Sequence, residues 1–339
     1  MRGTTLKKVI IVILTALFFC PVLIMAQPAK LSPARVGQIG VPLGRIAYIR
    51  DGDVWVMEWD GRNQMKVVTA QNADGRLSWA PDGKRIAFVR KGQVDLKGPD
   101  GLGGQHKVYD IFIAYLDSVN TNTNFWRRIT DELGGRHPEW QLDGKRIAYT
   151  KDLNAQYANA ILPNYQICRM DTVGGSPDTV AYDKELVDRL ASMPTFGPNN
   201  QCAFILHKEG AKPVGMVVAP MNLLKNLSDL EIKTKAKYMT GVTAPAWSPD
   251  GNWIAVIQTE MANQGIFIVK PDLTEKFLVY KPSSGQTLQT YPLSWSPDSK
   301  WLTFAIGDGS VWIIDITGNG LRQIAPPGNN LAPAWSKTK

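Results

Sequence analysis

Apolar and polar residues alternate along this chain in short runs. Val54-Trp-Val-Met57, Ile111-Phe-Ile-Ala-Tyr115, Ile266-Phe-Ile-Val269 and Val311-Trp-Ile-Ile314 are rich in β-branched and aromatic residues. Their period of two predicts half-buried strands. Other runs, such as Ile86-Ala-Phe-Val89, are apolar throughout and β-prone, as expected of strands covered on both sides. Turn formers such as Asp60-Gly61 and Gly318-Asn-Gly320 separate the runs, and short strands such as Lys66-Val-Val-Thr69 and Arg322-Gln-Ile324 follow them.

The pattern repeats. Leu77-Ser-Trp-Ala-Pro-Asp-Gly-Lys-Arg-Ile-Ala-Phe88 returns at residues 138–149, 245–256 and 293–304, with a worn copy at residues 194–204. The anchor positions are Trp79, Trp140, Phe196, Trp247, Trp295 and Trp335, about 40–60 residues apart, a spacing that suits propeller blades. Each unit predicts a strand ending at the anchor, a Pro-Asp-Gly turn and three further strands. An aromatic recurring at one position of one strand reads as a wedge between blades rather than as a binding residue. The turn Asp reads as a clamp on its own turn amides.

The chain ends complete one another. Arg45-Ile-Ala-Tyr48 is a second strand with no first, and Pro333-Ala-Trp-Ser336 is a first strand with no second. Pairing them closes an all-β, six-bladed propeller of four-stranded antiparallel blades, which protects the sheet edges. The expected organisation is a linker at 27–43 and a propeller over 44–339. Blade 1 takes 44–69 plus 333–336, blade 2 76–130, blade 3 136–182, blade 4 192–240, blade 5 243–280 and blade 6 291–325.

The Trp-Ser-Pro-Asp-Gly-Lys-x-Ile-Ala-Phe cassette resembles the WD40-like repeat of TolB-type propellers. Gly52-Asp-Val-Trp-Val-Met57, with Trp59-Asp-Gly-Arg-Asn63 after it, resembles that repeat's third strand and turn. The resemblance covers nearly all of residues 44–336 and departs at blade 4, where Phe196 replaces Trp and Pro198-Asn-Asn200 replaces Pro-Asp-Gly. It implies a six-bladed propeller in the periplasm or at the cell surface, with an envelope protein or peptide as partner. The family's namesake carries an additional N-terminal α/β domain, whereas only residues 27–43 precede the first blade here. Similar repeats occur in the propellers of prolyl oligopeptidase-like peptidases, tricorn-type proteases and oligogalacturonate lyases.

Residues 1–26 change the expected location. Arg2, Lys7 and Lys8 precede the apolar run Val9 to Phe19, and small Ala26 follows Ile24-Met25. This is a secretory signal pattern with cleavage before Gln27, leaving no stable membrane span. The formal charge of the whole chain is +8. Its basic residues are scattered through turns and form no patch interleaved with aromatics, which argues against nucleic acid as a partner. Cys168 and Cys202 remain after cleavage. Spacing does not fix a pairing, and two buried free thiols are the expectation.

Candidate chemistry is sparse. No Gly-x-Ser-x-Gly elbow, phosphate loop or dinucleotide fingerprint is present. His106, His137 and His207 lie outside any zinc pattern. Asp51-Gly-Asp53 and the stretch from Asp95 to Gly104 lack the ligand spacing of a calcium loop. No catalytic residue, metal or cofactor is therefore expected. The remaining surface is the channel mouth, formed by residues just before each first strand. These are Arg76, Arg136, His137, Ser192, Met193, Thr243, Tyr291 and Asn330. Arg76, Arg136, His137, Tyr291 and Asn330 are the binding candidates, because converging cations and an aromatic suit a carboxylate. The leading expectation is a non-catalytic exported propeller that binds a protein or peptide. A carbohydrate-active enzyme using carboxylates near Glu139 or Asp74, and a structural subunit of a surface assembly, are the alternatives.

Overall fold

The computed structural model describes residues 28–97, 103–116, 125–131, 133–157, 162–173, 176–181, 190–208, 212–221, 238–260 and 264–338. The signal segment expected at 1–26 lies outside the described residues. Six four-stranded antiparallel sheets form the ring. Blade 1 pairs Asn330–Trp335 with Arg45–Arg50, and Asp53–Glu58 and Met65–Val68 follow. Ile46 faces Trp335 and Ala47 faces Ala334 in that register. The two ends of the chain thus build one sheet, and the ring closes as the repeat predicts.

The other blades follow chain order. Their first strands are Ala73–Trp79, Gly135–Trp140, Leu190–Phe196, Val242–Trp247 and Ser294–Trp295. Each first strand is the innermost of its sheet, beside the axis. It ends at the anchor on one face of the ring, here called the turn face. The second strand runs back to the opposite face, called the funnel face. First-strand starts and the loops joining second to third strands therefore share the funnel face.

The anchors are wedges. Trp79, Trp140, Trp247, Trp295 and Trp335 are 1–5% exposed and Phe196 is 8% exposed. Their hydrogen bonds alternate around the ring. The backbone N–H groups of Trp140, Trp247 and Trp335 donate to Ser78 Oγ, Thr195 Oγ1 and Ser294 Oγ of the preceding blade at 3.0, 3.0 and 2.8 Å. In the intervening blades the indole donates instead: Trp79 Nε1 to Ala334 O at 3.0 Å and Trp295 Nε1 to Ala246 O at 2.8 Å. Phe196 occupies the third such position and has no indole N–H to give. The turn clamps are also present. The backbone N–H groups of Lys84, Lys145, Asn252 and Lys300 donate to Asp82, Asp143, Asp250 and Asp298.

Two segments differ from their sequence reading. Residues 28–43, read from their Pro and Gly content as a linker, form a strap on blades 5 and 6. Leu31 is 2% exposed in the core shared by those blades. Arg35 pairs with Glu275 and lies over Phe277. The Ala29 carbonyl accepts from Leu278 N–H. Composition could not show that a single leucine anchors this strap. The Gly-rich insert of blade 2 extends a hairpin. Arg85–Lys97 and Gly103–Tyr115 stay paired from Arg85↔Tyr115 to Lys97↔Gly103. That arm rises from the funnel face.

Trp79→Ala is expected to lower stability by about 3–5 kcal/mol in urea unfolding, the usual cost of emptying a large aromatic site. Gly197→Ala is expected to destabilise by about 1–3 kcal/mol, because a Cβ there would lie 2.1 Å from the Trp247 ring. Equal unfolding midpoints for wild type and Trp79→Ala would remove the wedge role.

Candidate functional site

The axis is not empty. Five of the first strands carry a left-handed residue three or four positions before the anchor: Gly75, His137, Met193, Ala244 and Ala332, with φ between 50° and 78°. Each coincides with a break in register against the second strand. This bulge turns the strand and changes which side chains face the hub. Non-glycine residues adopt that conformation only under tertiary constraint.

Arg76 is the main beneficiary. Its guanidinium is 2.7 Å from Glu139 Oε2 and donates to Pro194 O at 2.9 Å. It therefore ties blade 2 to blades 3 and 4 across the axis. Ser78 Oγ also donates to Glu139 Oε2, at 3.2 Å. The Arg76 and Glu139 side chains are 7% and 9% exposed. Burial lowers the Arg76 pKa, and Glu139 opposes that shift. The axial cavity they line, with Ser294 and Ala334, measures about 20 Å³, room for about one water molecule. Arg76 is thus a plug in the hub, and its charge is spent on Glu139. The sequence reading that placed it as a ligand cation is corrected by that pairing.

The other candidates divide. Asn330 is 3% exposed and fully engaged. Its Oδ1 accepts from Arg50 Nε, and its Nδ2 donates to Gly309 O and Pro326 O. Asn330 holds blade 1 to blade 6 and is closed to a ligand. Thr243 Oγ1 donates to Met193 Sδ at 3.6 Å. Ser192 Oγ lies 2.6 Å from His207 Nε2, but both groups are buried, which closes the pair to solvent.

Arg136 is open. Its guanidinium lies 3.6 Å from the centroid of the Tyr109 ring. Its Nε is buried without an acceptor among the described residues. No carboxylate of the described residues forms an ion pair with it. Tyr165 and Tyr291 are close enough to sense its charge. Tyr291 donates to Asp74 Oδ1 at 3.0 Å, and Lys91 is 3.6 Å from Asp74. Burial, reinforced by Asp74, raises the Tyr291 pKa, so its phenol stays protonated. Gln289 Oε1 is another buried polar atom without a partner, and its Nε2 donates to Asn330 O. The funnel mouth thus combines one unpaired cation, three tyrosines and unfilled hydrogen-bonding capacity.

His137 sits beside this cluster with φ 50°. Its Nδ1 lies 3.3 Å from Thr150 Oγ1. Desolvation, then the charges of Arg136 and Arg76, push its pKa down to about 3. It is a neutral member of the funnel at physiological pH. Tyr109 and Tyr165 were not among the sequence candidates. They stand at the bases of two long inserts, on third strands, and only the ring geometry brings them to the first-strand starts.

The remaining chemistry is structural. Asp53 accepts from Gln71 N–H and pairs with Lys66, so the Asp51-Gly-Asp53 turn is used internally. Cys168 and Cys202 are buried thiols that form no disulfide, as expected, and burial raises the Cys202 thiol pKa. Among the described residues, no three His, Cys, Asp or Glu side chains gather in a metal-holding group.

Six antiparallel blades, closed by the first and last strands and plugged at the hub, define a β-propeller. Its fold is TolB-like. TolB from Acinetobacter baumannii matches with a TM-score of 0.63 at 19% identity, over 90% of this chain and 69% of that one. A TolB candidate from Agrobacterium tumefaciens matches at 0.58 and 12% identity, over 86% and 92% of the two chains. A chain of a nidogen/laminin complex matches at 0.58 and 9% identity, over 86% and 97%. In sequence, 90 residues are 36% identical to WD repeat-containing protein 1 of mouse and of rat, which is 26% of this chain and 14% of those proteins. No family model matches. These likenesses establish the fold.

Two outcomes are expected of the hub. Arg76→Ala strands Glu139 in the core and should cost about 3–5 kcal/mol in urea unfolding, whereas Arg76→Met with Glu139→Leu should be nearly neutral. His137 is disfavoured as a cation in the fold, so the folded state binds fewer protons than the unfolded state between pH 6.5 and about 3. Stability is therefore complete above that window and declines as pH falls through it. His137→Asn, which tolerates the left-handed backbone, should flatten that decline. An unchanged slope would show that His137 does not titrate this way.

Proposed function

We propose that this chain is an exported, non-catalytic propeller that binds a protein or peptide of the cell envelope at its funnel face. The observation that carries the reading is Arg136, a cation stacked on Tyr109 with a buried Nε and no acidic partner among the described residues. Such a group suits a carboxylate from a partner's side chain or terminus. The long inserts of blades 2 and 3 support the reading. The arm of blade 2 leads into Tyr109, and the loop after Asp152 leads into Tyr165. Asp152 holds that loop by accepting from the N–H groups of Asn154 and Asn164. Exposed Tyr157 and Leu162 lie on the loop. Variable loops on a rigid ring commonly carry recognition.

The carboxylates required by a glycosidase or lyase reading are occupied. Glu139 is paired in the hub, and Asp74 holds Tyr291 and Lys91. Export rests on the pattern of residues 1–26. Among the described residues, no helix is long and apolar enough to cross a membrane.

The test is affinity capture from envelope extract with residues 27–339, followed by titration calorimetry with the captured partner. Arg136→Gln should weaken binding by about tenfold or more, the scale of a lost charged hydrogen bond, with an unaltered unfolding midpoint. A partner bound equally well by Arg136→Gln would overturn the funnel assignment. Turnover of an acidic polysaccharide would favour the enzyme.

A further inference from the structure

The seam between blades 3 and 4 lacks a contact that the two seams before it make. At the first two seams an arginine on the second strand crosses to the next blade. Arg45 donates to Gly83 O and lies over Trp79, and Arg85 donates to Gly144 O and lies over Trp140. The equivalent Arg146 pairs with the Asp of its own turn, as Arg85 also does, but makes no bond to blade 4 among the described residues. Phe196 is smaller than the tryptophan found at the other anchors. Leu142 replaces the repeat's proline and is 59% exposed. Two cavities of about 210 and 230 Å³ open here on the turn face. They share Leu142, Phe196, Gly197 and Pro198, so they form a single groove from hub to rim, apolar at its hub end and lined towards the rim by polar residues such as Asp143, Arg146 and Asn200.

One polar group in this groove is unfilled. Trp140 lines the hub-side cavity, is 2% exposed, and its Nε1 has no acceptor among the described residues. The corresponding indoles in blades 1 and 5 donate to Leu43 O at 2.7 Å and Gly251 O at 3.3 Å. An indole N–H left without a partner in the interior is costly, and an incoming carbonyl would satisfy it.

The same face already shows an occupant for such a surface. The strap crosses blade 6 as an extended segment, Gln38-Ile-Gly-Val-Pro-Leu43, with its carbonyls accepting from side chains at the turns. Lys300 Nζ donates to Gln38 O, Trp301 Nε1 to Gly40 O and Trp335 Nε1 to Leu43 O. At the hub end of the groove Arg76 and Glu139 neutralise one another, and Lys337 supplies a net positive charge.

We propose that the groove between blades 3 and 4 is a second, separate site for an extended apolar peptide segment of a partner protein. A backbone carbonyl of the peptide accepts from Trp140 Nε1, an aliphatic side chain sits between Leu142 and Phe196, and a carboxylate meets Lys337. The site is on the opposite face from Arg136 and does not depend on the funnel reading.

The probe is the synthetic peptide Ac-Gln-Ile-Gly-Val-Pro-Leu with a free C-terminal carboxylate, titrated into ¹⁵N-labelled protein of residues 27–339. The Trp140 indole resonance, assigned by its loss in Trp140→Phe, should shift with saturation. Trp140→Phe should weaken binding about three- to tenfold, the scale of one hydrogen bond. Phe196→Trp, which restores the repeat's wedge and fills the groove, should abolish binding while raising the unfolding midpoint. Arg136→Gln should bind the peptide as wild type does. An unmoved Trp140 resonance at millimolar peptide, or full affinity in Phe196→Trp, would overturn the proposal. A concentration-dependent dimer that Phe196→Trp dissociates would also overturn it, in favour of a second copy of the chain.

Discussion

The packing of an aromatic wedge against the next blade is the contact on which the ring depends. Each sheet is apolar on both faces, as Ile46, Ala47, Tyr48 and Ile49, all fully buried in one strand, demonstrate. Such a sheet has no solvent side, so it is stable only between two neighbours. The wedges supply that contact at the narrowest part of the ring. At five of the six anchors one N–H group donates across the seam, alternately the backbone's and the indole's. The alternation follows the residue before the anchor. Ser78, Thr195 and Ser294 accept through a hydroxyl, whereas Ala334 and Ala246 accept through a carbonyl. Closure adds no new principle. Trp335 is one more wedge, seated in a sheet drawn from both ends of the chain.

A bulge in the first strand converts the ring into two separate faces. Left-handed His137, Met193, Ala244 and Ala332 bend their strands where they meet the axis. Constraint of this kind is held by the surrounding sheet. Its consequence is that Arg76 points across the hub, where Glu139 and Pro194 take up its donors. Removing either ion would leave the other unpaired in the interior, which costs more than replacing both together. With the hub closed, a ligand on the funnel face and a ligand on the turn face do not share a channel.

The sequence carried the fold because the anchor cassette is local and periodic. Trp79 and its counterparts, the Asp turns and the complementary chain ends could each be found without coordinates. The site was less legible. Arg76 and Arg136 occupy similar places before their anchors, yet the bulge falls one residue further back in blade 2, at Gly75, than in blade 3, at His137. That single residue of slip separates a buried structural cation from an open one, and no local pattern announces it. Tyr109 and Tyr165 were missed for another reason. They belong to third strands, and their approach to Arg136 is a property of the assembled ring. The strap was missed because Pro and Gly describe its backbone and not the burial of Leu31.

Blade 4 shows why a departure from the repeat is informative. In a ring of nearest-neighbour contacts, one weak seam lowers stability locally while the others keep the circle closed. A protein can therefore hold a small wedge at one position without losing the fold. What the weak seam changes is the satisfaction of its surroundings. Phe196 cannot donate to the carbonyl of Glu139, Arg146 does not cross to blade 4, and Trp140 keeps an indole hydrogen that its counterparts in blades 1 and 5 give away. A sequence whose other anchors are all tryptophan breaks the repeat here in several ways at once. Such breaks concentrate where a surface is used rather than merely built. A groove that is apolar at its hub end and bordered there by one unfilled donor has the chemistry of a binding surface.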